Sequence, residues 1–255
     1  MKSTQNDSGE PGEINLAAVI DRGIRFFSAD QNHRRINDIL LGPLERPALQ
    51  WLVSRLPAWV TPDLLTGLAL AASVMIFASY ALTNLNKGFL WLASLGFLIN
   101  WFGDSLDGTL ARYRHVERPR YGFFIDHTLD AFSEVLVFMG IGLSPYVSFN
   151  IACVALVGYL LLAIMVYITT YVNGVFRISY IRLGPTEMRV IAILANTAVF
   201  FIGNPVLRLP FGAFSFYNLL ALVLSALFYG AFTVVTISQA RELNRVDQGD
   251  RGQKN

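Results

Sequence analysis

Six apolar stretches, each close to the length a helix needs to cross a lipid bilayer, dominate this 255-residue chain. They fall at roughly 64–83, 88–112, 121–144, 148–172, 187–203 and 214–238, and about 20 apolar residues suffice to span the hydrocarbon layer. Inside a bilayer the backbone has no water to bond, so such stretches fold as helices whose hydrogen bonds are internal. The pattern predicts an all-α, integral membrane bundle of six transmembrane helices within residues 61–243. Composition agrees, with 54% apolar and only 15% charged residues, where soluble domains carry about a quarter charged. The single cysteine, Cys153, lies inside an apolar run. That excludes an intrachain disulfide or a thiolate metal cluster and marks the residue as a small buried hydrophobe. Residues 1–30 form a polar N-terminal tail without a basic stretch leading into an apolar one, so no cleaved secretory signal is expected.

Basic residues set the expected orientation, because cytoplasmic loops collect Lys and Arg. With six spans and an inside N-terminus, eighteen of the twenty basic residues fall on one side, leaving only Lys87 and Arg208 outside. A multi-pass protein with both termini in the cytoplasm follows. Ahead of the first span, over residues 31–60, Ile36, Leu40, Leu41, Leu44, Leu49, Trp51, Leu52 and Leu56 recur near helical spacing among arginines. An N-terminal interfacial amphipathic segment on the bilayer fits this best; a soluble helix packed on the ends of the bundle fits as well. Pro43 and Pro47 argue against one long helix there. Residues 1–12 and the polar C-terminal tail, 244–255, read as disordered from their Gly, Asn, Gln and charge content.

Charge appears where the membrane makes it expensive. Sixteen uncharged residues, Gly88 to Gly103, lead into Asp104 and Asp107, and Asp126 and Asp130 open the next apolar run. An ionisable residue in a spanning helix marks a functional site by default. Asp104, Asp107 and Ala111 share one helical face; Gly122, Asp126 and Asp130, spaced by four, form a stripe on the next helix. A short loop joins the two helices, so the stripes face each other at one depth. Two carboxylates about 5 Å apart repel by roughly 3 kcal/mol at an effective dielectric near 20. Either some are protonated or cations lie among them. An all-oxygen set without Cys or His suits Mg²⁺ or Mn²⁺, and two such ions would hold a pyrophosphate. Gly108 and Gly122 leave room for a ligand against the backbone.

The string Asp104-x₂-Asp107-Gly108-x₂-Ala111-Arg112-x₉-Gly122-x₃-Asp126-x₃-Asp130 resembles the signature of the CDP-alcohol phosphatidyltransferases. The resemblance implies a phospholipid-synthesis enzyme that moves a substituted phosphate group from a CDP-linked donor to an alcohol and releases CMP. It implies Asp104, Asp107 and Asp126 as metal ligands. Asp130 would be the catalytic base for the acceptor hydroxyl and would also touch the second ion. Gly108, Ala111, Arg112 and Gly122 would adjoin the nucleotide and its phosphates. Pro62-Asp63-x-x-Thr66 is similar to the family's nucleotide-contacting turn, and Arg118 lies in a loop that meets donor phosphates in relatives. The family commonly forms homodimers.

Two donors remain open: CDP-diacylglycerol with a small polar alcohol, or CDP-choline or CDP-ethanolamine with diacylglycerol. One substrate is a lipid in either case, and no nucleic-acid partner is expected. Gly184 to Glu187 resembles a segment of eukaryotic choline and ethanolamine phosphotransferases and tilts the choice to the second. Glu134, one turn inside Asp130, either lines an acceptor pocket or bonds a neighbouring helix. Arg177, Arg182 and Arg189 serve topology and headgroup attraction, or Arg177 and Arg182 frame the acceptor site. The rivals are a membrane cation transporter, which would spread its acids near midmembrane, and a catalytically inactive relative, against which the intact aspartate set argues.

Overall fold

A computed structural model describes residues 41–173, 184–209 and 212–253. These form seven helices and one hairpin: α1 Gly42–Val53, α2 Pro62–Leu82, α3 Phe89–Tyr113, α4 Pro119–Leu143, α5 Phe149–Asn173, α6 Pro185–Ile202, β1 Val206–Leu209, β2 Gly212–Ser215 and α7 Phe216–Gln253. Five stretches are long and apolar enough to cross a membrane: Pro62–Leu82, Phe89–Tyr113, Phe149–Thr170, Pro185–Ile202 and Phe216–Arg245. The expected sixth, α4, has the length at 25 residues. It lacks the apolarity, because Arg120, Asp126, Asp130 and Glu134 all lie on it.

Two further expectations change. Among the described residues the regular structure is helical except for one hairpin, whose strands pair antiparallel from Val206 opposite Ser215 to Leu209 opposite Gly212. Four-residue strands are too short to stand out beside spans of about 20 residues. The segment 244–253, read as a disordered tail, continues α7 to Gln253; its side chains pair along the helix, Arg245 with Glu242 and Gln248 with Asn244. Helix α1 starts at Gly42, beside Pro43, and runs on through Pro47. Pro43 sits in the first turn, where no N–H bond is needed, and Pro47 removes only one backbone bond. One face of α1 buries Leu49 and Val53 against Val60, Leu65, Leu106 and Leu110. The other leaves Leu44 and Trp51 exposed, with the Arg55 guanidinium over the Trp51 ring. The 1–30 tail, residues 31–40 of the amphipathic segment, Arg177 and Arg182 lie outside the described residues.

Helix α2 is the hub, packing on both α3 and α4; α6 closes on α3, and α5 bridges α4 to α7. Small residues let these helices approach. A methyl group on Gly103 would lie 2.5 Å from the Leu65 carbonyl oxygen and 2.8 Å from the Ala69 nitrogen; on Gly140 it would lie 2.9 Å from the Phe77 Cα. Both neighbours are α2 backbone, which has nowhere to go. The α2 start is fixed by Thr61, whose hydroxyl accepts the Leu64 N–H, and by Pro62 in the first turn. This fastening brings Thr66 to the level of the α3 aspartates.

Candidate active site

Helices α3 and α4 are antiparallel neighbours in sequence, separated by residues 114–118. The Asp126–Asp130 pair, one turn apart on α4, therefore meets Asp104 on α3. One carboxylate oxygen from each of the three lies within 4.8 Å of the others. At that separation each ionised pair repels by about 3 kcal/mol at an effective dielectric near 20. The chemistry of the set, carboxylate oxygen throughout, fits a hard divalent cation. Asp107 stands apart from this trio but lines the same narrow crevice, with Thr66, Ala69, Leu129 and Ser133. Its Oδ2 accepts the Thr66 hydroxyl at 2.6 Å, and its Oδ1 accepts the Gly108 N–H. The Pro62–Thr66 segment, the first turn of α2, thus reaches the crevice through Thr66.

The other positions singled out by the motif are not among the residues that line that crevice. Asp63 and Arg118 pair with each other, both about half exposed, and Arg118 stacks over Tyr121. Arg112 is exposed, with a guanidinium N–H donated to the Thr109 hydroxyl at 3.3 Å. Packing does not demand the signature glycines. A methyl on Gly108 would meet only the Arg112 guanidinium, at 3.4 Å, and one on Gly122 would meet nothing within 4 Å. Ala111 is half-buried on the same stripe. Small residues facing open space leave a surface that a bulky ligand can approach.

Sequence reasoning missed the part played by Arg189. It lies on α6, and its Nη2 donates to Asp104 Oδ2 at 2.6 Å while Nε donates to Asn100 Oδ1 at 2.8 Å. Asn100 in turn donates to the Ala69 carbonyl and the Ser73 hydroxyl, both at 3.0 Å. A chain of hydrogen bonds thus runs from α2 through α3 to α6 and ends on an aspartate of the trio. The Arg189 side chain is only 14% exposed. An arginine that enters the fifth apolar run was the available signal; counting it for topology hid it.

Beyond Asp130 and Ser133 a cavity of about 230 Å³ opens into the bundle. Glu134 and Arg189 stand at its polar end, and Val137, Phe138, Ile141 and Val199 line its interior. Glu134 thus lines a cavity, and its carboxylate also bonds Tyr159 on α5. On α6 the lining runs from Pro185 to Val199, about 21 Å at 1.5 Å per residue. Part of the wall is polar but satisfied: Tyr80 donates to Asn196, which donates to Ser94. Glu187, in the segment singled out for substrate choice, turns inward. It is 4% exposed and accepts the backbone N–H groups of Leu41 and Gly184.

A family model described as CDP-alcohol phosphatidyltransferase matches residues 59–237. Cholinephosphotransferase 1 of Danio rerio is 29% identical over 158 residues, 58% of this chain and 41% of that protein. Phosphatidylinositol phosphate synthase of Cutibacterium acnes is 37% identical over 90 residues, 34% of this chain and 40% of that one. Cholinephosphotransferase 1 of Gallus gallus is 29% identical over 178 residues, 63% and 51% of the two chains. The chain spans about half or less of the length of these relatives.

Proposed function

Because the chain belongs to the CDP-alcohol phosphatidyltransferase family, we propose that it transfers a substituted phosphate group from a CDP-linked donor to a lipid alcohol, releasing CMP. The observation that carries this is one apolar cavity opening beside the aspartate trio. It shares Asp130, Ser133 and Asn100 with the aspartate crevice and is lined inward by hydrocarbon side chains. Such a pocket suits an acceptor that brings a hydroxyl to Asp130 and a tail to the interior. The basic group at its mouth, Arg189, is already bonded to Asp104 and Asn100, which disfavours an acceptor carrying its own phosphate. Diacylglycerol with CDP-choline or CDP-ethanolamine is the pairing that follows. The likeness to phosphatidylinositol phosphate synthase supports the second pairing, CDP-diacylglycerol with a small polar alcohol.

Asp104, Asp126 and Asp130 would hold Mg²⁺ or Mn²⁺, with Asp107 completing a two-ion site. Asp104, Asp107, Asp126, Asp130 and Glu134 against Arg189 leave four negative formal charges, the charge of two divalent cations. When bound, such ions neutralise phosphate oxygens and stabilise charge on the departing CMP. The chain's own residues supply the rest. Asp130, one turn further into the membrane than Asp126, takes the proton from the acceptor hydroxyl. Thr66 holds Asp107 toward the crevice. Gly108, Ala111 and Gly122 leave room for the nucleotide, while Pro62 and Asp63 adjoin its approach and Arg112 and Arg118 offer positive charge to the donor phosphates. Exposed Arg112 and Arg118 supply that charge without the cost of burial.

The same reading makes α4 the sixth crossing. The basic residues at the aspartate ends of α3 and α4 then face the cytoplasm together with both termini. Helix α1 lies at that surface with Leu44 and Trp51 toward lipid, and the chain works as a homodimer, as its family commonly does. The test is CMP release by purified protein in lipid nanodiscs. CDP-choline, CDP-ethanolamine and CDP-diacylglycerol are each paired with diacylglycerol, glycerol phosphate, serine and inositol phosphate, in Mg²⁺ or Mn²⁺. Release dependent on diacylglycerol is expected. Release only with CDP-diacylglycerol overturns the lipid-acceptor assignment, and none with any pair overturns the activity.

A further inference from the structure

Among the described residues, the structure holds one node that the transfer chemistry leaves unused. A single carboxylate oxygen of Glu45, on α1, accepts three hydrogen bonds: from the Trp101 indole at 2.8 Å, the Ser105 hydroxyl at 3.1 Å and the Thr186 hydroxyl at 2.9 Å. Trp101 and Ser105 are one turn apart on α3, and Ser105 adjoins Asp104. Thr186 sits in the first turn of α6, three residues before Arg189, and so shares a face with it. The clasp is reciprocal, because Glu187 on α6 accepts the Leu41 N–H at the start of α1 at 2.8 Å. Two acids, one on each helix, thus tie α1 to the first turn of α6. Glu45 lies outside the residues matched by the family model, 59–237.

We propose that Glu45 is a positioning residue: by holding α3 and the start of α6 on one oxygen, it sets Arg189 against Asp104. The physical reason is the length of the lever. Arg189 reaches Asp104 and Asn100 only if α6 keeps its rotation and depth relative to α3. The α6 side chains that fix this at the helix start are Thr186 and Glu187, and both bond to α1 or the residue before it. Removing the carboxylate strands three donors and frees the end of α6 that carries Arg189. The inference rests on the reading given under Proposed function, because its effect is read through turnover.

The experiment is a double-mutant cycle on kcat for CMP release, with protein in nanodiscs and each variant first shown monodisperse by size exclusion. Glu45→Ala is expected to lower kcat about tenfold and Arg189→Ala about a hundredfold, the range seen when groups supporting metal ligands are removed. Since Glu45 acts through Arg189, the double variant should fall within about threefold of Arg189→Ala, whereas independent effects multiply to about a thousandfold. Glu45→Gln keeps the accepting oxygen and should restore turnover to within about threefold of wild type. If Glu45→Ala does not fold, Thr186→Val takes its place, with a loss of about threefold that vanishes when Arg189 is alanine. Additive effects, or a Glu45→Ala enzyme as fast as wild type, overturn this inference alone. A wild-type protein that releases no CMP overturns it together with the activity it rests on.

Discussion

Replacing Gly103 or Gly122 by alanine adds one methyl group to α3 or α4, and the structure predicts opposite consequences. At Gly103 the new carbon would stand 2.5 Å from the Leu65 carbonyl oxygen, 2.8 Å from the Ala69 nitrogen and 3.0 Å from the Ala69 Cβ. Real contacts of this kind essentially never fall below 3.0 Å, so α2 and α3 must separate by about half an ångström or more. Overpacking of that order costs about 1–3 kcal/mol. At about 2–4 °C per kcal/mol for a chain of this size, the melting temperature should drop by several degrees. The shift also pulls Thr66 from Asp107, across the same helix pair, so kcat/KM should fall with stability.

At Gly122 the new carbon meets no atom within 4 Å, so the fold should not register it. Alanine also favours the helix by about 1 kcal/mol over glycine, and the melting temperature should hold or rise slightly. The methyl would instead occupy open space one turn before Asp126. If the nucleotide packs against that stripe, an overlap worth about 1.4 kcal/mol raises the donor KM tenfold while kcat stays near wild type. The assay pairs thermal melts, followed by size exclusion in detergent, with CMP release over a range of donor concentrations. A Gly122→Ala protein with wild-type donor KM refutes the assignment of this glycine to ligand space. A Gly103→Ala protein that melts with wild type refutes the packing argument.

Asp130→Asn should lower turnover by about 10²–10⁴, the usual worth of a positioned base; calorimetric titration with CDP in Mn²⁺ should show binding largely retained, and near-wild-type turnover would remove the base assignment. Chelation with EDTA should abolish CMP release, and Mg²⁺ or Mn²⁺ should restore it; an unchanged rate defeats the metal site. Thr66→Val deletes the 2.6 Å bond to Asp107 and should cost about 1 kcal/mol of stability, with kcat/KM down roughly tenfold. Ala195→Trp, in the cavity wall, should raise the KM for diacylglycerol and leave that of the CDP donor unchanged; equal effects on both would place the acceptor elsewhere.

What the sequence disclosed and what it concealed divide along a physical line. Spans and the aspartate stripes were legible because both are local: apolar length sets a membrane helix, and spacings of three and four set a face. The Pro62–Thr66 motif stood out by its resemblance alone, and its bond to Asp107, 41 residues away, was not legible. The hairpin at Val206–Ser215 was no more legible, since strand signals of four residues vanish among long apolar runs. Nor was the helix through Gln253, where polar composition suggested disorder but the side chains pair along the helix. Arg189 and Glu45 were concealed for a different reason. Their partners lie 85 and 56 residues away or further, and no local spacing announces such a pairing.

That division also explains how the acids are kept where they are. Asp104, Asp107, Asp126, Asp130 and Glu134 crowd the ends of membrane helices, where each unpaired charge costs several kcal/mol. The local motif supplies none of the compensation for Asp104. It comes from Arg189 on α6, which Asn100 holds through its bonds to α2. Asp107 is held by Thr66, again from α2. Asp126 and Asp130 face Asp104 from α4, one oxygen of each of the three lying within 4.8 Å of the others. Neighbouring helices thus neutralise or orient the α3 acids, and a divalent cation would offset the repulsion that remains where Asp104, Asp126 and Asp130 converge.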